Sequence, residues 1–239
     1  MMPNNPKVAT ILITTRNRPD QLRLALESIR AKDYRNVDVL VVDDASTEET
    51  AAMLRDFAKL ARVRRIERPG GYRRNPGPVI NVGHLLSETD IVLEQCGEMC
   101  HLTDCVSPLI DACRPGVVAL ARVHHGSLAQ MRAVEKDMRF DRYEFPPNFE
   151  PETIVTDGGK QPGVKVGSSQ TLLYCGRERP VPFLFLGAIH QTDFKMVGGY
   201  DEKRPDRADE DLADRLLARG TRFIFVGKAV AFHLQHVKM

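Results

Sequence analysis

The chain has 239 residues, 42% hydrophobic and 28% charged, the balance of an ordinary globular domain with its own core. Its net charge of +2 names no partner by itself. Five cysteines (Cys96, Cys100, Cys105, Cys113 and Cys175), without a C-x-x-C pair, argue against both a disulfide framework and a structural zinc site. With a polar start and no apolar run near the length of a membrane span, the expectation is a cytoplasmic protein without a transmembrane segment.

Taken in order, the first half alternates strands and helices. Residues 8–14 form a β-branched run suited to a strand buried on both faces. Pro19 can open the helix that follows, and Leu22, Leu26 and Ile29 fall at helical spacing. Residues 37–42 give a second buried strand, ending in Asp43 and Asp44. Ser46 and Glu49 make a capping-box pattern before a helix carrying Leu54, Phe57 and Leu60. A third strand is expected over 63–66, a helix over 79–86, and strands over 90–94 and 117–123. This rhythm implies a mostly parallel, doubly wound sheet flanked by helices.

Between about 126 and 182 the periodicity fades and prolines become frequent, as in a functional insertion. An apolar run returns over 183–189, and Gly198-Gly199 marks a turn. A helix over 208–219 closes on Gly220, and strands over 223–226 and 230–232 end the pattern. No second-domain linker is seen, so one domain is expected over 1–239.

Ligands of open α/β sheets bind beyond the carboxyl ends of the strands. Here those ends carry Thr14, Thr15, Arg16, Asn17 and Arg18; then Asp43, Asp44 and Ser46; then Gln95, Cys96, Gly97 and Glu98. Neither G-x-G-x-x-G nor G-K-[ST] follows a strand, which removes the dinucleotide fingerprint and the P-loop. Arg62, Arg64, Arg65, Arg68, Arg73 and Arg74 form a basic cluster, and Arg73 and Arg74 are positioned to meet phosphates.

Several pieces in order carry a resemblance: TTRNR at 14–18, VVDDAST at 41–47, Asn81-Val82-Gly83, GGYDE at 198–202, DEDLADRLLARG at 209–220, and His233. Together, over nearly the whole chain, they resemble a family 2 glycosyltransferase with the Rossmann-like GT-A fold. The resemblance implies a nucleotide-sugar-binding half over about 8–123 and an acceptor-binding, catalytic half over about 124–239. It implies inverting transfer from a nucleotide diphosphate sugar, with UDP as the nucleotide. Thr14, Thr15, Arg16, Asn17, Asn81 and Arg74 would serve the donor, and Asp43 or Asp44 the base or ribose, since a carboxylate accepts from ring N–H or hydroxyl groups.

The pattern D-L-x-x-R-L at 211–216 places Asp209 at the family's usual base, with Glu210 and Asp211 as substitutes. The sequence departs from the family at its metal motif. Asp-x-Asp falls on Cys96-Gly97-Glu98, so only the second carboxylate remains. The family's divalent cation, Mn2+ or Mg2+, would then rest on Glu98 with His233 or His236, completed by phosphates and water. His101, three residues after Glu98, is a further histidine near the motif. Cys96 also motivates an alternative, a nucleotide-sugar or glycan-binding protein that has lost catalysis. A nucleotidyltransferase is a weaker one, because residues 14–18 lack its Gly-rich, Lys-containing loop. The acceptor stays open among glycan, lipid carrier, protein and modified nucleic acid.

Overall fold

The structure is a computed structural model, described over residues 7–34, 36–66, 76–126, 154–155, 185–204 and 208–234. Arg74, His236, Cys175 and nearly all of the proline-rich 126–182 segment lie outside the described residues.

The strands are β1 (Ala9–Thr15), β2 (Val37–Asp44), β3 (Arg62–Ile66), β4 (Ile91–Cys96), β5 (Met99–His101), β6 (Val117–Gly126), β7 (Ile154–Val155), β8 (Leu186–His190) and β9 (Arg222–Leu234). The helices are α1 (Pro19–Lys32), α2 (Glu48–Arg55), α3 (Gly77–Leu86), α4 (Val106–Ala112), α5 (Gln191–Met196) and α6 (Ala208–Ala218). The sheet runs β3-β2-β1-β4-β8-β6-β9-β5, with β7 also on β9. β3, β2, β1 and β4 are parallel, as the alternating pattern implies. β8 enters antiparallel to both β4 and β6, so the second half is mixed.

Alternation along β1 sends successive side chains to opposite faces. Ile11 and Ile13 pack with Leu22, Leu26 and Ile29 of α1. Leu12 packs with Val42, Val79 and Val92 on the other face. Both faces are therefore covered, which is why the strands read as continuous apolar runs. Gly83 lets α3 settle onto β1: a Cβ there would lie 2.2 Å from Leu12 Cδ1. β3 is an edge strand, and its exposed arginines suit an edge that must not pair further. Arg62 of the basic cluster is committed to Asp38.

Three local expectations change. The N-cap of α2 is Thr47 rather than Ser46, because the Ser46 hydroxyl accepts from the Asn17 amide at 2.9 Å. The two expected C-terminal strands are one long β9, with an irregularity opposite Ala121 and Arg122. α4, α5 and β5 have too few residues to show a period, and the sequence reading passed over them.

Candidate active site

The site is assembled where β1, β4 and β9 end. In the β1–β4 register Thr14 faces Cys96. The Gly97 amide donates to the Thr14 carbonyl at 3.0 Å. A Cβ on Gly97 would sit 3.1 Å from Thr15 Oγ1 and 3.2 Å from that carbonyl, so glycine lets the turn press onto β1. The chain then enters β5, where Met99 pairs with His233 of β9, and the Leu234 amide donates to the Glu98 carbonyl at 3.0 Å. This antiparallel pairing joins residues far apart in sequence.

As a result one ligand atom each from Cys96, Glu98 and His233 lies within 4.8 Å of the others. Glu98 also pairs with Arg18, and both side chains are buried. Glu98 and His233 fit a divalent cation that takes its remaining oxygens from elsewhere. Cys96 is a soft ligand, suited to zinc more than to manganese or magnesium, and is not counted in that pair. His101 does not join them. It is fully buried on the other face of β4, bound to Gln95 Oε1 at 2.8 Å and Tyr34 Oη at 3.1 Å. Burial above all, then the Lys32 charge, against the opposing pull of Asp104, depresses its pKa to about 3.

The loops after β1 and β2 lock together. Asn17, at φ 50°, accepts from the Thr47 amide through Oδ1 at 2.8 Å. Asp43 accepts from the Ser46 amide at 3.2 Å and so closes its own turn. Asp44 faces Arg16 at 3.7 Å. Both carboxylates stand at the carboxyl end of β2, where the sequence reading expects them.

Asn81 has work of its own. Its Oδ1 accepts from the Tyr200 amide at 2.9 Å and its Nδ2 donates to the Tyr200 carbonyl at 3.0 Å. The side chain expected to serve the donor also clasps α3 to the 198–200 turn. Gly199 sits at φ 69°, and a Cβ there would meet Asn81 Oδ1 at 2.7 Å. His190 caps α5, its ring Nδ1 accepting from the Thr192 amide at 3.2 Å.

α6 brings up the acidic triplet. Asp209 lines a cleft with Thr14, Glu94, Cys96, Phe185 and Tyr200, whereas Glu210 and Asp211 do not. Asp211 is paired with Arg215 at 2.7 Å and Arg204 at 3.4 Å. Asp209 is only partly exposed. Its pKa is pushed up to about 6 by burial first and then by the Glu94 charge, against a Tyr200 hydrogen bond, with a smaller upward push from Glu210. A carboxyl titrating there is charged at neutral pH yet basic enough to take a proton. The sequence reading missed Glu94, Tyr200 and His84, which lie behind Asp209. The available signal was a carboxylate in register with Val92 inside the apolar strand at 91–96.

A parallel β1–β4 core joined to a mixed second half is the architecture of the GT-A fold. The family model described as Glycosyl transferase family 2 matches residues 10–93. No curated protein matches significantly. Among solved structures it is similar to S. aureus TarS 1-349, 14% identical with a TM-score of 0.63, over 95% of this chain and 60% of that one. It is likewise similar to the same fragment in complex with UDP (17% identical, TM-score 0.62, 96% and 60%). The fragment in complex with UDP-GlcNAc gives 15% identity and a TM-score of 0.64, over 97% and 60%. The chain therefore spans three fifths of the TarS fragment's length. Among the described residues no helix is long and apolar enough to cross a membrane.

Proposed function

We propose that the protein transfers a sugar from a UDP-linked donor to an acceptor hydroxyl, with inversion at the anomeric carbon. The observation that carries this reading is Asp209, the one carboxylate of the acidic triplet that lines the cleft, raised in basicity to about 6. The acceptor oxygen attacks C1 of the sugar while its proton passes to Asp209. The bond from C1 to the diphosphate breaks, and its electron pair leaves with UDP. One displacement from the face opposite the leaving group inverts the centre.

The leaving diphosphate needs positive charge. Arg18 is a buried guanidinium at this edge, and Glu98 with His233 would hold a divalent cation there. Such an ion, Mn2+ or Mg2+, neutralises charge on the departing phosphates when bound. Thr14 and Cys96 form the cleft floor beside Asp209, and Asp43, Asp44 and Arg16 provide hydrogen-bonding groups on the β2 side for base or ribose. The UDP-GlcNAc complex of the TarS fragment makes that sugar nucleotide the first donor to try.

A mass-spectrometric screen of sugar nucleotides, following binding and UDP release, tests the reading, with proton NMR of the fresh product to assign its anomer. UDP release from a UDP-sugar with an inverted product is expected. Binding without any release would favour a nucleotide-sugar-binding protein, the reading that Cys96 in place of an aspartate supports. Release with retained configuration would overturn the single displacement.

A further inference from the structure

A chain of buried side chains leads from the cleft into the protein. Tyr200 Oη donates to Glu94 Oε2 at 2.6 Å, and both residues line the cleft together with Asp209. Glu94 Oε1 is 2.7 Å from His84 Nε2. His84 Nδ1 lies 3.0 Å from Gln191 Oε1, while Gln191 Nε2 donates to the His84 carbonyl at 2.8 Å. His84, Glu94, Tyr200 and Gln191 are each at most 5% exposed. The His84 ring is stacked on Phe194 with centroids 3.5 Å apart, and Asn81 clamps the Tyr200 backbone from both sides.

Counting hydrogens orders this chain. A carbonyl only accepts, so Gln191 must present its NH2 to the His84 carbonyl and its oxygen to Nδ1. Nδ1 therefore carries a hydrogen. Nε2 and Glu94 Oε1 then hold one proton between them, as imidazolium and carboxylate or as imidazole and acid. At the other end, the Tyr200 phenol has a single proton for two carboxyl groups, Glu94 and Asp209. How firmly Asp209 binds a proton depends on where that hydrogen points and on the charge Glu94 keeps.

We propose that Glu94 and Tyr200 are positioning residues that set the basicity of Asp209. This rests on the reading of Asp209 as the base. Directions follow from the contacts. Removing the phenol hydroxyl takes from Glu94 the donor that offsets its charge, so Asp209 beside it binds a proton more tightly. Neutralising Glu94 removes an adjacent negative charge and frees the phenol proton for Asp209, which then binds a proton less tightly. The groups facing Asp209 and its phenol partner are His84 behind Glu94 from α3, Glu94 and Cys96 from β4, Tyr200 from the 198–200 turn, and Glu210 from α6. The two substitutions leave His84, Cys96 and Glu210 in place.

The experiment is a carboxyl titration of the full chain labelled with 13C-aspartate, Asp209 being identified by the signal lost in Asp209→Asn. Glu94→Gln should lower the Asp209 midpoint and Tyr200→Phe should raise it, each by about one pH unit. The acid limb of UDP release from UDP-GlcNAc should move the same way in each variant. An unmoved midpoint in either folded variant, or two shifts of the same sign, overturns the proposal, and either variant alone suffices if the other does not fold. Asp209→Asn separates the two readings. Opposite midpoint shifts with UDP release intact in Asp209→Asn would leave the electrostatic coupling standing but remove Asp209 as the base. Loss of release in Asp209→Asn with unmoved midpoints in the other two would keep the base and reject the relay.

Discussion

Glu94 and Gln95 are consecutive on β4 and face opposite sides of the sheet, and each meets a buried histidine. On the Gln95 side the hydrogen bonds close. Gln95 Nε2 donates to the Met99 carbonyl at 3.3 Å, so Oε1 accepts from His101 Nε2, and Nδ1 accepts from the Tyr34 hydroxyl. One neutral tautomer satisfies every partner. On the Glu94 side a carboxylate replaces the amide, a proton must be shared with His84, and the chain continues through Tyr200 to the cleft. An amide neighbour fixes a protonation state and locks the fold; a carboxylate neighbour leaves one adjustable and links it to the surface.

The sharpest way to break this comparison is to disable both faces. Asp209→Asn should cut turnover by about 100-fold or more, roughly 3 kcal/mol of barrier, with UDP affinity nearly unchanged. His101→Gln should leave turnover of the folded protein within about twofold. Steady-state kinetics and calorimetry with UDP check both. Equal losses in the two variants would erase the distinction between a working face and a structural one.

The next effect is on stability. His101 has a folded pKa depressed to about 3 against an unfolded 6.5. Its contribution is fully present above pH 6.5 and is lost as pH falls towards 3, because the unfolded chain takes a proton the folded one refuses. Between pH 7.5 and 5 this amounts to about 2 kcal/mol. His101→Gln should therefore flatten the acid side of a denaturation profile over that window.

Asp209 works in the opposite sense and more weakly. Its folded pKa is raised to about 6 from 3.8, so ionising it costs the folded state more than the unfolded one. Stability falls as pH rises from 3.8 to 6 and is level above. Going from pH 7.5 to 5 should thus return about 1 kcal/mol to the wild type, partly masking His101. Urea unfolding at the two pH values should find the drop larger by that amount in Asp209→Asn. An identical drop would mean the carboxyl is not desolvated.

The parallel half was legible because its signals are local: β-branched runs, Pro19 at a helix start, and acidic residues at strand ends. The acidic triplet with Asp209 opens α6 as the pattern suggests, and Gly220 at φ 81° closes it. The pairing of β5 with β9 was not legible, since Met99 and His233 are more than a hundred residues apart and nothing between them sets the register. The clasp that Asn81 makes was not legible for a related reason. Asn-x-Gly looks like a ligand motif, but its asparagine clasps the turn at Tyr200 and its glycine makes room for Leu12. Glu94 passed as a strand-end residue because buried carboxylates make sense only once their histidine and tyrosine partners are in place.

The smallest effect concerns the cation, where the two faces of β4 no longer matter and its end does. Glu98 and His233 would give a divalent ion one carboxylate and one imidazole, too few donors for a firm hold, since hard cations want several oxygens. Arg18 competes for the same carboxylate, so an entering ion must share Glu98 with a guanidinium already paired to it. A nucleotide diphosphate changes both terms. Its oxygens complete the ion's shell, and its negative charge gives Arg18 another partner. Manganese and UDP should therefore bind with positive coupling, at the low end of the usual range because Arg18 already supplies part of the charge: about fivefold, or 1 kcal/mol. Titrating manganese with and without UDP measures it, and reciprocity requires the same factor for UDP with and without manganese. Arg18→Gln sharpens the test, since a released Glu98 should hold manganese more tightly without nucleotide and shrink the coupling. Equal manganese affinity in both wild-type titrations would mean that UDP and the ion do not meet at Glu98.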